Sequence, residues 1–180
     1  MALVFLFVIL TGCGKNGVDP GLQLRDQLLR CNGYSFLADI TADYGENIYS
    51  FTVCCTGDAN GDLSFTVIKP DSIAEIAGSI SLDGGKLNFD DHILAFPLLA
   101  DGQISPVSTP WLLIYCLRSG YITHGGIDGN NYMIHIDDSY AQNNIGLDVW
   151  LDSNNIPIQA DFIWAGRRFL TMIVKDFEIL

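Results

Sequence analysis

The side chains most able to do chemistry in this sequence are five cysteines, three histidines and the carboxylates gathered at its turns. Cys31, Cys54, Cys55 and Cys116 form no C-x-x-C pair and have no histidine at a zinc-like spacing, so no metal site is expected. Adjacent Cys54 and Cys55 point to opposite faces of a strand and cannot readily bond each other. Cys31 paired with Cys54 or Cys55 is one reading; free buried thiols are the default. His92, His124 and His135 fall in expected loops and one strand, where a lone histidine is more often a surface or core residue than a catalyst. Asp58-Ala59-Asn60-Gly61-Asp62 spaces its oxygens as a calcium loop opens, but Lys69 stands where the closing Glu is needed and the glycine comes too early. A hairpin turn is expected there, and solvated turns at Asp90-Asp91 and Asp137-Asp138. There is no G-x-S-x-G, no H-E-x-x-H and no phosphate-cradling glycine loop, so neither an enzyme nor a cofactor is expected.

Cys13 is different. It follows nine consecutive apolar residues, Ala2 to Leu10, and then Thr11 and Gly12. That run suits the apolar core of a signal peptide and falls short of the roughly 20 residues that span a bilayer. Leu10-Thr11-Gly12-Cys13 resembles the lipobox of bacterial lipoproteins. The resemblance implies removal of residues 1–12 and a diacylglyceryl group on the Cys13 sulfur: small residues let a peptidase grip an extended backbone, and the thiol carries the lipid. Met1-Ala2-Leu3 lacks the Lys or Arg that usually opens such a leader. The bland alternative is a buried strand over Val4–Leu10.

Cleavage of the 180-residue chain after residue 12 leaves 168 residues, enough for one domain with a substantial core. The net charge of −12 makes nucleic acid an unsuitable partner and anionic headgroups repulsive, so acyl chains must hold the domain to its membrane. The expected place is the extracytoplasmic face of the cell membrane. Residues 13–21 read as a lipid-anchored tether and 22–180 as the folded domain. Its stretch Gly14 to Pro20 reaches at most about 25 Å.

These residues must be carried by mostly β structure. Asp19-Pro20 opens a helix through about Arg30, with Leu24, Leu28 and Leu29 as its apolar face. Tyr34, Phe36, Ala38, Ile40, Ala42 and Tyr44 then alternate with polar residues, as do Tyr49, Phe51, Val53 and Cys55, and Asn60-Gly61 turns the chain into Leu63, Phe65 and Val67. Further strands are expected over 80–82, 86–89, 132–136, 145–151, 158–164 and 169–179. Between Ser108-Thr109-Pro110, read as a helix start, and Gly120, read as its stop, residues 111–117 are apolar without interruption. A helix apolar all round is buried all round; one more buried strand is the alternative. The fold class expected is α+β, mainly β: a curved antiparallel sheet, a half-barrel, wrapped around this helix, with a helix at the N-terminus.

Leu63-Ser64-Phe65-Thr66-Val67-Ile68-Lys69-Pro70, Leu147-Asp148-Val149-Trp150-Leu151-Asp152 and Ile156-Pro157-Ile158-Gln159-Ala160, in that element order, resemble the lipoprotein-carrier (LolA-like) superfamily over roughly residues 22–180. That superfamily includes periplasmic lipoprotein carriers, mycobacterial glycolipid-binding lipoproteins and clostridial germination lipoproteins, the Gram-positive type being nearest in style. The resemblance implies a hydrophobic pocket between sheet and helix for lipid or acyl chains, with Phe36, Phe51, Trp111, Ile114 and Tyr115 as candidate lining. The same bulky side chains could instead fill the space, leaving a scaffold that serves another envelope protein. Periplasmic carriers latch the covering helix with an arginine from an early strand. No Lys or Arg occurs here between Arg30 and Lys69, which favours a fixed, tethered domain over a shuttle.

Overall fold

Alternation decides the first strand, and the chain follows it. In the computed structural model Tyr34, Phe36, Ala38, Ile40 and Ala42 all point into the core from one face of β1 (Gly33–Asp43). Residues 19–89, 92–96, 99–100, 103–138 and 145–180 are described. The expected leader, Cys13, the tether through Val18 and Asp90-Asp91 lie outside them. Before β1 comes α1 (Asp19–Arg30), and after it β2 (Ile48–Asp58), β3 (Leu63–Lys69), β4 (Ala77–Ser81), β5 (Gly84–Phe89), β6 (His92–Phe96), β7 (Leu99–Ala100) and β8 (Gln103–Ile104). Then follow α2 (Thr109–Ser119), β9 (Tyr121–Asp128), β10 (Asn131–Asp138), β11 (Ile145–Leu151), β12 (Pro157–Trp164) and β13 (Arg167–Ile179).

Eleven strands form one curved, unclosed antiparallel sheet in the order β6-β5-β4-β3-β2-β1-β13-β12-β11-β10-β9. β1 and β13 sit at its centre and join two meanders, with Tyr34 opposite Ile179. The chain leaves one edge at β6 and re-enters at the other edge, β9. The connection must therefore cross the sheet, and it lays α2 against it. That topology explains why α2 is apolar over most of its surface. Trp111, Leu112, Leu113, Ile114, Cys116 and Leu117 are buried in one core with Leu24 and Leu28 of α1 and with inward residues of the sheet such as Phe36, Phe65, Leu147 and Phe162.

Curvature has local causes. Bulges interrupt the register at five strand pairings, including Ser35/Leu37, opposite which Asp176 adopts φ 50°. Extra residues of this kind tighten twist and bend a sheet. In the β1–β6 half, aromatic rings also lie over glycines on neighbouring strands: Tyr34 over Gly57, Phe65 over Gly78 and Phe96 over Gly85. A Cβ at Gly57 would overlap the buried Tyr34 ring. Gly57→Val is therefore expected to cost about 1–3 kcal/mol, the range of core overpacking, read as a lowered urea midpoint with unchanged m-value.

Five sequence expectations are corrected. Asp137-Asp138 is the end of β10, paired with Gly146 and Ile145 of β11, rather than a turn. Leu29 is 55% exposed, because α1 turns its Gly21, Leu24 and Leu28 side inward and Leu29 lies a helical step away. His92 and His124 lie on β6 and β9, the two edge strands, rather than in loops. Ser108 has helical backbone angles and makes no capping hydrogen bond, since a 3₁₀ turn over Pro106–Ser108 leads directly into α2. Tyr49 is exposed, because β2 begins beyond the end of its neighbour β3, whose ladder starts at Thr52. Gly120 does end α2: its N–H donates to Cys116 O at 2.8 Å, and a Cβ there would crowd Ile136. None of the four described cysteines is in a disulfide; burial pushes the Cys55 thiol pKa well up, while Cys54 faces solvent.

On the outer face Asp39 accepts hydrogen bonds from Lys175 Nζ (2.6 Å) and Thr52 Oγ1 (2.7 Å). The Lys175 bond first, and then the Thr52 bond, holds the Asp39 carboxyl below its ordinary value. A depressed folded pKa stabilises the fold above the unfolded pKa and loses that contribution as the pH falls through the folded one. Asp39→Asn should accordingly lower the urea midpoint at pH 7. The gap from the parent should begin to close below about pH 4.

Candidate functional site

Two tight turns meet α2 at one end of the half-barrel. In the β2–β3 turn the Asp58 carboxylate accepts the backbone N–H groups of Asn60 (2.8 Å), Gly61 (2.9 Å) and Asp62 (3.1 Å). The oxygens that resembled a calcium loop are thus spent on a hairpin, and Gly61 takes φ 94°. The turn's carbonyls are then bound from α2: Trp111 Nε1 donates to Gly61 O (2.9 Å) and Arg118 Nη2 to Ala59 O (2.7 Å). Among the described residues Arg118 Nη1 and the Tyr34 hydroxyl are both enclosed without hydrogen-bond partners. Burial drives the Tyr34 pKa up strongly, and the positive charge of Arg118 opposes it.

Between this hairpin, the β4–β5 turn and α2 lies an open cleft of about 500 Å³. Trp111, Ile114, Tyr115 and Arg118 line it from one face of α2, at the spacing i, i+3, i+4, i+7. The Trp111 and Tyr115 rings stack with centroids 5.0 Å apart. Leu29 closes one side from the end of α1, and Leu82, 72% exposed, projects from the β4–β5 turn. Asp62 and Asp83 complete the rim.

The five candidate lining residues therefore separate. Trp111, Ile114 and Tyr115 meet at the cleft. Phe36 is buried in the core, its ring 5.4 Å from that of Phe177 and 6.3 Å from that of Tyr34. Phe51 borders another depression, with Ile40, Lys69 and Pro70. Leu29, Leu82, Asp62 and Asp83 escaped the sequence reading because they come from turns and a helix end that no local pattern links.

The C-terminal end of α2 is also held from α1. Arg25 Nε donates to Leu117 O (2.7 Å), and its Nη2 donates to Gly120 O (2.6 Å) with Cys116 O at 3.5 Å. One guanidinium thus satisfies the carbonyls that a helix leaves free at its C-terminus, where its dipole favours a cation. Partial burial lowers the Arg25 pKa, but a guanidinium stays charged throughout the working range. Sequence reasoning missed Arg25, because it lies on α1 and its partners are backbone carbonyls of a distant helix.

A titratable cluster lies on the sheet near its β9 edge. His135 Nδ1 donates to Asp148 Oδ1 (2.5 Å), its Nε2 is 3.3 Å from Asp137 Oδ1, and its ring stacks on His124 at 5.0 Å. Among the described residues no group of three His, Cys, Asp or Glu side chains could hold a metal ion. Nor is any described helix long and apolar enough to cross a membrane.

No family model matches the sequence, and no curated protein matches it significantly. Solved structures do share the fold. An uncharacterized conserved protein from Thermus thermophilus is 8% identical with a TM-score of 0.50, covering 92% of this chain and 88% of that one. A LolA superfamily protein from Nitrosomonas europaea is 10% identical with a TM-score of 0.46, covering 89% and 93%. A chain from the complex of the CwlD amidase with the GerS lipoprotein from Clostridioides difficile is 13% identical with a TM-score of 0.46, covering 88% and 93%. At these identities the likeness is one of fold alone: the chain is an open half-barrel, its curved antiparallel sheet packed against a helix.

Proposed function

We propose that this chain is an exported bacterial lipoprotein, anchored through lipid on Cys13 at the extracytoplasmic face of the membrane, whose cleft beside α2 receives the acyl part of an amphipathic ligand. The observation that carries the reading is where space remains. Beneath α2 the described side chains form one continuous core, whereas the flank of α2 has an aromatic-floored cleft of about 500 Å³. That size falls within the usual range of small-ligand sites, and each buried methylene contributes about 0.8 kcal/mol. The role is binding at a fixed station rather than catalysis. The net charge of −12 suits neither nucleic acid nor attachment to anionic headgroups, which leaves the anchor to the acyl chains.

Two measurements test the reading. Cells fed an alkyne-tagged fatty acid should label the chain in the membrane fraction, and Cys13→Ser should lose both label and membrane association. The released Cys13→Ser chain, examined by native mass spectrometry, should retain an acyl-bearing adduct. Only bare protein, under conditions that preserve lipid on a known binder, counts against the ligand.

A second reading, a scaffold for another envelope protein, is favoured by one observation. Edge strand β6 exposes Ile93 (72%) and Leu94 on opposite faces, and an uncovered apolar edge can take up a partner's strand. Under this reading Leu94→Lys abolishes a specific pull-down while leaving lipid retention intact.

A further inference from the structure

We infer that the cleft selects amphiphiles whose polar end is positively charged, an alkyl or acyl ammonium rather than a neutral or anionic head. This deepens the acyl-binding reading and rests on it.

Three charged groups border the cleft: Asp62 from the β2–β3 turn, Asp83 from the β4–β5 turn and Arg118 from α2. Arg118 is committed to the hairpin, with Nη2 bound to Ala59 O at 2.7 Å and Nη1 enclosed. Asp62 and Asp83 stand on different walls at the mouth, both exposed. Among the described residues neither carboxylate accepts a hydrogen bond or forms an ion pair; what is engaged is backbone, the Asp62 N–H and C=O with Asp58 and the Asp83 N–H with Ser81. Two free carboxylates thus flank an apolar mouth, Leu29 and Leu82, above the stacked Trp111–Tyr115 pair. A ligand whose chain lies on this floor brings its head group between them. There a cation gains from both carboxylates, which outnumber the single positive charge of the hairpin-bound Arg118, and an anion is repelled by them. The field of a chain with net charge −12 has the same sign and draws cations inward.

The test holds the alkyl chain constant and varies the head. Titration calorimetry of the Cys13→Ser chain would use dodecyltrimethylammonium, dodecyl maltoside and dodecyl sulfate, each below its micelle concentration. The ammonium should bind about tenfold tighter than the maltoside, the effect of roughly one wet charge pair, and the sulfate weakest. The preference should shrink in high salt. It should disappear in the Asp62→Asn/Asp83→Asn double variant, which keeps its affinity for the maltoside and its parental urea midpoint. Equal affinity for all three heads overturns the inference and leaves acyl binding standing. Failure of all three to bind overturns the acyl-binding reading itself. An oligolysine peptide competing as strongly as the ammonium amphiphile overturns the inference too, since the site would then read charge without the chain.

Discussion

Replacing Arg25 with alanine is expected to lower the free energy of unfolding by about 2–4 kcal/mol, a loss built from charged hydrogen bonds worth about 1.5–3 kcal/mol each. The side chain donates to Leu117 O and Gly120 O at 2.7 and 2.6 Å, in a half-buried position at the negative end of α2. Alanine leaves those carbonyls beneath α1 with no donor supplied by the protein, and that desolvation accounts for much of the effect. Arg25→Lys should recover only part of the loss, because an ammonium cannot present two donors in a planar fork. Urea denaturation reads both variants. A midpoint for Arg25→Ala equal to the parent's would mean that α2 is held by packing alone.

Leu113→Ala should cost about 2–5 kcal/mol, the range for emptying a close-packed site. Leu113 is wholly buried near the middle of α2, in a core that takes in residues from both halves of the sheet. A hollow half-barrel would give a much smaller loss, since Leu113 would then border space rather than fill it. Calorimetric or urea unfolding gives the value directly. Combined with Arg25→Ala, the loss should fall short of the sum, because both residues hold the same helix in place.

The parts of the fold legible in the sequence are those with one buried face or a special turn. Alternation along β1, Asn60-Gly61 between β2 and β3, and the unbroken apolar run of α2 each left a local signal, and together they required a sheet packed around a helix. Strands β6 and β9 left none. They are the two edges, exposed along much of their length, so His92–Phe96 and Tyr121–Asp128 show no period-two burial for a pattern to catch. The aromatic–glycine pairs were invisible for another reason: Gly57 matters only because Tyr34 lies across from it on the next strand. Arg25 was hidden more deeply, since its partners are backbone carbonyls more than ninety residues away, which no side-chain pattern marks.

The site was legible in its helical half. Trp111, Ile114 and Tyr115 share a face at helical spacing, and the resemblance to lipoprotein carriers singled them out. Phe36 and Phe51 also sit on strands that border the core, but an eleven-stranded sheet is wide, and facing the core does not bring a residue to the cleft. The rim of the cleft, Leu29, Leu82, Asp62 and Asp83, is assembled from three separate places in the chain. Only their meeting around α2 gives them a common role.

The central claim, that an acyl chain lies against α2 at this cleft, can be measured at Trp111. With Trp150→Phe and Trp164→Phe, Trp111 becomes the sole tryptophan and reports on its own floor. Fatty chains brominated along their length should quench its fluorescence saturably, and unbrominated chains of equal length should compete. Fluorescence unchanged at saturating brominated chain, in protein whose unfolding transition matches the parent's, would contradict that claim.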